Sequence, residues 1–318
     1  MEKPLVSVIC LCYNHRRFVR EAVVSVLNQS YKNIQVIVAD DASTDDSIDE
    51  IHRLKAQYSS IELLLLPKNL GNCRAFNEAL KLARGEFIID FATDDLMMQN
   101  RIENQVAFLD SMDPTVGLVY TDAIYISEDG KFIRNHFDYL FRKGLISRIP
   151  QGDVYRDILT TYFIPGPTMM IRREVFAALN GYDESLSYED FDFWVRSSRI
   201  YRYAFLNERL TSIRKLKTSM STGWYVPGDR QLHSTYLICK KAQQLNRNKD
   251  DERALITRVR YEFRQSVLSG NHTEALLFFD LLKELNGVRL AESTLKLLGA
   301  TKIPLNTLRK LYHWIRYS

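Results

Sequence analysis

Three acidic groups stand where carboxylates could do chemistry: Asp40-Asp41, Asp94-Asp95 and the run Ser187-Tyr188-Glu189-Asp190-Phe191-Asp192-Phe193-Trp194. The first follows an apolar run, and Tyr13 ends the run before it, so a ring for stacking and a carboxylate for hydrogen bonding could share one edge. Adjacent aspartates such as Asp94 and Asp95 repel each other, and a divalent cation that prefers a few oxygen ligands relieves that repulsion. In the third group three acids lie among aromatic residues, surroundings that raise a carboxylate toward a useful general-base range. Glu189 or Asp190 could then take a proton from an attacking hydroxyl. Each group also has an ordinary reading as a helix start: Ser43 with Asp46 and Ser187 with Asp190 fit capping boxes, and Asp94-Asp95 precede a helical segment.

The elements that must position these groups alternate between two hydrophobic periods. Residues 5–11, 34–39, 61–66, 86–91 and 116–121 read as short apolar strands. Residues 16–29, 47–57, 73–83 and 97–111 carry helical spacing. Strand and helix in alternation mean an α/β fold with a mostly parallel sheet covered by helices. Ligands of such sheets bind beyond the carboxyl ends of the strands, where the first two acidic pairs fall. From 123 to 225 the pattern loosens, with a strand at 168–171 and a helix after Glu189. Beyond 229 it becomes helical, at about 230–247, 251–269, 272–286 and 290–298. We therefore expect one domain at 1–225, in two halves divided at about 122–123, and a helical region at 226–318.

The 318-residue chain has ordinary globular composition, and its net charge of +4 is too small and too evenly spread for a nucleic-acid binder. Four scattered cysteines fit buried free thiols rather than zinc or a disulfide framework. No secretory signal and no apolar run of about 18 residues is seen, which leads us to expect a soluble, cytoplasmic protein. Residues 300–318 hold Lys302, Arg309, Lys310 and Arg316 without an acid, and apolar residues at helical spacing. That tail is read as a terminal helix packed on its own domain, or as peripheral contact with the inner membrane surface.

In this order, the segments VSVICLCYNHRRFVREAVVSVLNQSYKNIQVIVADDASTDDS (6–47), NLGNCRAFNEALKLARGEFIIDFATDDLM (69–97) and GPTMMIRREVFAALNGYDESLSYEDFDFW (166–194) resemble the family 2 glycosyltransferases of the GT-A, Rossmann-like fold. The resemblance covers about the first two-thirds of the chain. It implies an inverting, metal-dependent transfer, with Mn²⁺ or Mg²⁺, from a nucleotide diphosphate sugar, a UDP-sugar by default, to a glycan or lipid-linked hydroxyl acceptor. The setting it implies is bacterial cell-surface polysaccharide, lipopolysaccharide or capsule biosynthesis. By the same resemblance Tyr13 and Asp41 hold the nucleobase with Asp40 beside them, and Arg74 and Asn77 contact the donor. Asp95 is the closer metal ligand and Asp94 lies toward the ribose. Asp190 is the base, beside Glu189, and the Gly166-Pro167-Thr168 turn borders the acceptor. Many members carry Arg-x-His after the Glu-Asp helix; here Arg214-Lys215-Leu216-Lys217 lacks the histidine, leaving Arg214 and Lys217 to meet the diphosphate. The Gln-x-x-Arg-Trp motif of processive members is absent, which implies a single addition. Two other functions fit the residues less well. A sugar nucleotidyltransferase would need a glycine-rich loop after the first strand, and a non-catalytic nucleotide-sugar or glycan binder would not need both acidic motifs.

Overall fold

The structure, a computed structural model, describes residues 3–216 and 225–300. Its elements run β1 (Val6–Cys12), α1 (Val19–Leu27), β2 (Ile34–Asp40), α2 (Ser47–Gln57), β3 (Glu62–Leu65), α3 (Asn72–Leu80), β4 (Phe87–Ala92) and β5 (Leu96–Met97). Then follow α4 (Arg101–Asp110), β6 (Val116–Ile126), β7 (Phe132–Asn135), α5 (His136–Arg142), α6 (Tyr155–Thr160), β8 (Met170–Arg172), α7 (Arg173–Leu179), α8 (Asp190–Ser197) and β9 (Arg202–Arg214). Four helices complete the described chain: α9 (Arg230–Leu245), α10 (Lys249–Ser269), α11 (His272–Glu284) and α12 (Leu290–Ala300).

Two compact units result. The first comprises residues up to 154, 163–185 and 200 onward to the end of β9; the second comprises 155–162, 186–199 and the helices beyond 225. All nine strands belong to the first, in the order β3-β2-β1-β4-β8-β6-β9-β5, with β7 on β6. The fold class is α/β with flanking helices and a helical C-terminal region, as the two hydrophobic periods imply. The first four of the five strands read before residue 122 form one parallel set. Beyond β4 the sheet becomes mixed, because β8 runs antiparallel to both β4 and β6. Every residue of β1 is buried, as a strand covered on both faces requires. On α1, Val19, Ala22, Val23 and Val26 are buried at helical spacing; on α2, Ile51 and Leu54 are.

Three expectations are corrected. The helix read from residue 97 begins only at Arg101, since Leu96 and Met97 form a short strand against Ser212 and Thr211 of β9. The strand read at 116–121 continues to Ile126. The 13-residue β9 has no counterpart in the sequence reading, and its middle explains why. Its pairing with β6 jumps from Thr121 opposite Leu206 to Asp122 opposite Arg209, so Asn207 and Glu208 stand outside the ladder and interrupt the apolar alternation. Arg209 nevertheless keeps its place by pairing with the buried Asp122 at 2.8 Å.

Candidate active site

The parallel register fixes which residues meet at the carboxyl edge. Cys12 of β1 lies opposite Asp40 of β2, and Leu11 lies opposite Ala92 of β4. The peptides continue the match past the strands: Asp41 N–H donates to the Cys12 carbonyl at 2.9 Å, and Thr93 N–H to that of Leu11 at 3.0 Å. Asp41 and Thr93-Asp94 are therefore two strand spacings apart, roughly 10 Å. That span is comparable with the reach from a nucleobase to its phosphates, and Tyr13, 44% exposed, stands just past the end of β1, the strand between them.

The loops at this edge are held by their own polar side chains. Asn14, at φ +59°, accepts at Oδ1 from Thr44 N–H at 2.7 Å, and its own N–H donates to Ser43 Oγ at 2.9 Å. Asp40 is fully buried, and Ser43 donates to both of its oxygens, from N–H at 2.8 Å and from the hydroxyl at 2.5 Å. The expected Ser43–Asp46 capping box is thus replaced. Asp45 accepts from Ser47 N–H at 3.0 Å and from Arg16 N–H at 3.1 Å, while Asp46 makes no side-chain cap bond. Sequence reasoning also missed His15, whose Nδ1 lies 2.9 Å from Thr93 Oγ1 and joins the β1 and β4 ends. The signal available for it was the polar run Tyr13–Arg16.

Asp41 faces the start of α3, where Leu70 and Gly71 N–H groups donate to its two oxygens at 2.7 and 2.9 Å. Burial raises its pKa, and these two bonds oppose the rise. Asp95 is 2% exposed and accepts at Oδ1 from the backbone N–H of Arg214 at 2.8 Å. Burial first and Asp94 second push its carboxyl well above the usual range, against that hydrogen bond and the pull of Lys215 and Arg101. Arg214 is 4% exposed and spends its guanidinium locally: Nε donates to the Asp94 carbonyl at 3.0 Å and Nη2 to Glu21 at 3.0 Å. Its Nη1 donates to the carbonyls of Ser127 at 3.3 Å and Glu128 at 2.8 Å. The end of β9, a strand the sequence reading did not contain, is thus what fixes the Asp94-Asp95 turn. Lys217, named with Arg214 for the diphosphate, and the tail 301–318 lie outside the described residues.

Arg74 and Asn77 both point to one turn. Arg74 pairs with Glu184 at 2.8 Å. Asn77 accepts from Tyr182 N–H and donates to the Tyr182 carbonyl, each at 2.9 Å. Gly181 makes room for this clamp: at φ +75°, a Cβ there would come 2.4 Å from Asn77 Oδ1. Removing the amide in Asn77→Ala removes both of these hydrogen bonds to the Tyr182 peptide, and we expect a loss of about 1–3 kcal/mol in urea unfolding. A donor Michaelis constant raised tenfold or more at unchanged stability would instead assign Asn77 to the ligand.

In the second unit, Glu189 and Asp190 are half-buried at the start of α8. Their neighbours are tied to α9. Ser187, expected to cap with Asp190, takes Ser234 Oγ at 2.9 Å to its N–H and at 3.0 Å to its hydroxyl. Tyr188 Oη lies 2.7 Å from Thr235 Oγ1, and Asp192, 1% exposed, pairs with Lys241 and Arg196, each at 2.6 Å. Beneath them Arg258 pairs with the fully buried Glu262 at 3.1 Å and lies 5.2 Å from the Phe191 ring. All four cysteines are buried thiols outside any disulfide, and burial raises the Cys12 thiol to about 11.

A divalent cation fits the donor set at Asp94-Asp95: two hard-oxygen side chains one residue apart, the buried one destabilised by its neighbour. Among the described residues no three His, Cys, Asp or Glu side chains gather into a metal cage, so such an ion would complete its shell with water and phosphate oxygens.

The sequence model described as glycosyl transferase family 2 matches residues 7–179. An uncharacterized glycosyltransferase of Rickettsia typhi is 31% identical over 215 residues, 66% of this chain and 64% of the relative. The putative teichuronic acid biosynthesis glycosyltransferase TuaG of Bacillus subtilis is 31% identical over 176 residues, 54% of this chain and again 64% of the relative. The chain therefore matches slightly less than two-thirds of these relatives' length. Among solved structures, residues 1–349 of S. aureus TarS in complex with UDP-GlcNAc superpose with a TM-score of 0.68 at 20% identity, covering 92% of this chain and 83% of that one. A mannosyltransferase from Pyrobaculum calidifontis in complex with GDP-Man and Mn²⁺ gives a TM-score of 0.61 at 19% identity, over 98% and 84%. At such identities the likeness shows the fold. With more than half its length matched by the family model, the chain belongs to glycosyl transferase family 2, on the GT-A fold.

Proposed function

We propose that this protein transfers a sugar from a nucleotide diphosphate sugar to a hydroxyl acceptor, with inversion, in a single non-processive addition, in cell-surface polysaccharide, lipopolysaccharide or capsule synthesis. The observation that carries the reading is the register that sets Asp41, Tyr13 and Asp94-Asp95 along one strand edge. Asp41, preoriented by the Leu70 and Gly71 N–H groups, accepts from the base while Tyr13 stacks on it; Asp94 and Asp95 hold a divalent ion, Mn²⁺ or Mg²⁺. When bound, that ion neutralises charge on the departing diphosphate. Asp190 takes the proton of the acceptor hydroxyl, which requires a single carboxylate and no covalent intermediate. Asp192 cannot share that task, because cations occupy both of its oxygens. The nucleotide sugars in the complexes of the structural neighbours and the pathway of the Bacillus subtilis relative support this reading. UDP is the default nucleotide. Incubation with a panel of UDP- and GDP-sugars, with Mn²⁺ or with chelator, tests it: release of nucleoside diphosphate only with metal supports the transferase, and tight binding without release would make the chain a binder.

A further inference from the structure

Four large apolar side chains with exposed surface fall in one short stretch of the first unit: Phe132 at 66%, Ile133 at 48%, Phe141 at 45% and Leu145 at 40%. The stretch runs through β7, on the rim of β6, through α5, which follows it directly, and into the residues after α5 that hold Leu145. Tyr125 pairs with Arg134 and Ile126 with Phe132, so Ile133 bulges out of the ladder. Arg134 binds strand and helix into one surface, its guanidinium 4.9 Å from the Tyr125 ring and 3.8 Å from that of Tyr139. Arg142 lies 5.9 Å from the same Tyr139 ring.

The charges around these residues are mostly basic. Residues 127–148 contain Lys131, Arg134, Arg142, Lys143 and Arg148 against Glu128, Asp129 and Asp138, and two of those acids are paired outside the stretch, Glu128 with Arg17 and Asp138 with Arg209, each at 3.3 Å. Single exposed apolar side chains are ordinary on a soluble protein. Two phenylalanines with aliphatic neighbours inside a cationic frame form the pattern of a surface that enters the headgroup region of a membrane. Apolar tips reach the acyl boundary while lysine and arginine meet anionic headgroups, so both halves of the surface find a partner in one medium.

The surface is joined to the candidate site. The turn leading into β7 supplies the Ser127 and Glu128 carbonyls that receive Arg214, and Arg214 holds Asp94 and Asp95. We propose that β7 and α5 dock this protein onto an anionic lipid bilayer. The inference is independent of the transferase reading, since docking needs no substrate. It also differs from any contact made by the tail.

The test is flotation of the full chain with vesicles of equal parts phosphatidylcholine and phosphatidylglycerol, beside vesicles of phosphatidylcholine alone. The protein should float with the anionic vesicles and remain behind with the neutral ones. Phe132→Ser with Phe141→Ser, and separately Lys131→Glu with Arg142→Glu, should each weaken partitioning at least about tenfold. Circular dichroism checks that these exposed changes leave the fold intact. A wild-type chain that stays with neither vesicle, or either double variant floating as well as the wild type, overturns the proposal. Nucleoside diphosphate release without vesicles reports separately on the transferase reading.

Discussion

Asp190→Asn should lower transfer about 10²–10⁴-fold while leaving the affinity for nucleotide within a factor of two or three. The substitution keeps the shape of the side chain and removes its ability to take a proton. The surrounding contacts should survive it, because Ser187, Tyr188 and Asp192 are each held by α9 through groups the change does not touch. The measurement is turnover at saturating donor together with calorimetric titration of the nucleoside diphosphate. Because only proton removal is lost, the fall should lie in kcat, and the donor Michaelis constant should stay. Turnover retained within about threefold would move the base elsewhere, with Glu189 the next residue to change.

Asp95→Asn should abolish the metal-dependent part of donor binding and yet make the metal-free protein more stable at neutral pH. Asp95 is buried beside Asp94, and its pKa in the fold lies above the ordinary carboxylate range. A carboxyl with a raised native pKa favours the fold while protonated. That advantage is complete below the pKa of the unfolded chain and is lost as pH rises through the native value. At pH 7, above the unfolded pKa, keeping this carboxyl in the fold therefore costs stability, and the neutral amide, which still offers an oxygen to Arg214 N–H, avoids that cost. The expected pattern is a higher metal-free melting temperature for the variant, with no further rise on adding Mn²⁺ and nucleotide. The wild type should start lower and rise. Equal melting temperatures at pH 7, or an undiminished response to metal, would remove Asp95 from this role. Such opposition between stability and function is expected where a site stores charge for a ligand.

The first half of the fold was legible because β1 to β4 are short, apolar and separated by helices of clear period; α2 matches its reading residue for residue. The second half was less so. β9 carries Asn207, Glu208 and Arg209 in its middle, and β5 is two residues long, so neither shows a period. At the site, acid types and strand ends could be read, but partners could not. Nothing local in the sequence says that Asp40 is consumed by Ser43, that Asp41 meets Leu70 and Gly71, or that Arg74 and Asn77 meet the 181–184 turn. Apart from the local Asp40–Ser43 contact, these bonds join residues 29 to 110 positions apart. Arg214 shows the same limit: the resemblance implied a phosphate contact, and nothing in the sequence says that from the end of β9 it also holds Asp94 and Asp95.

The central claim is that aspartates carried on different strands grip one nucleotide. Calorimetric titration of UDP and GDP into the protein with Mn²⁺ tests it most directly, for the wild type and for Asp41→Ala and Asp95→Asn. One of the two nucleotides should bind at a single site, and each variant should weaken that binding at least about tenfold. Wild-type affinity in both variants, or no binding of either nucleotide to the wild type, would contradict the account.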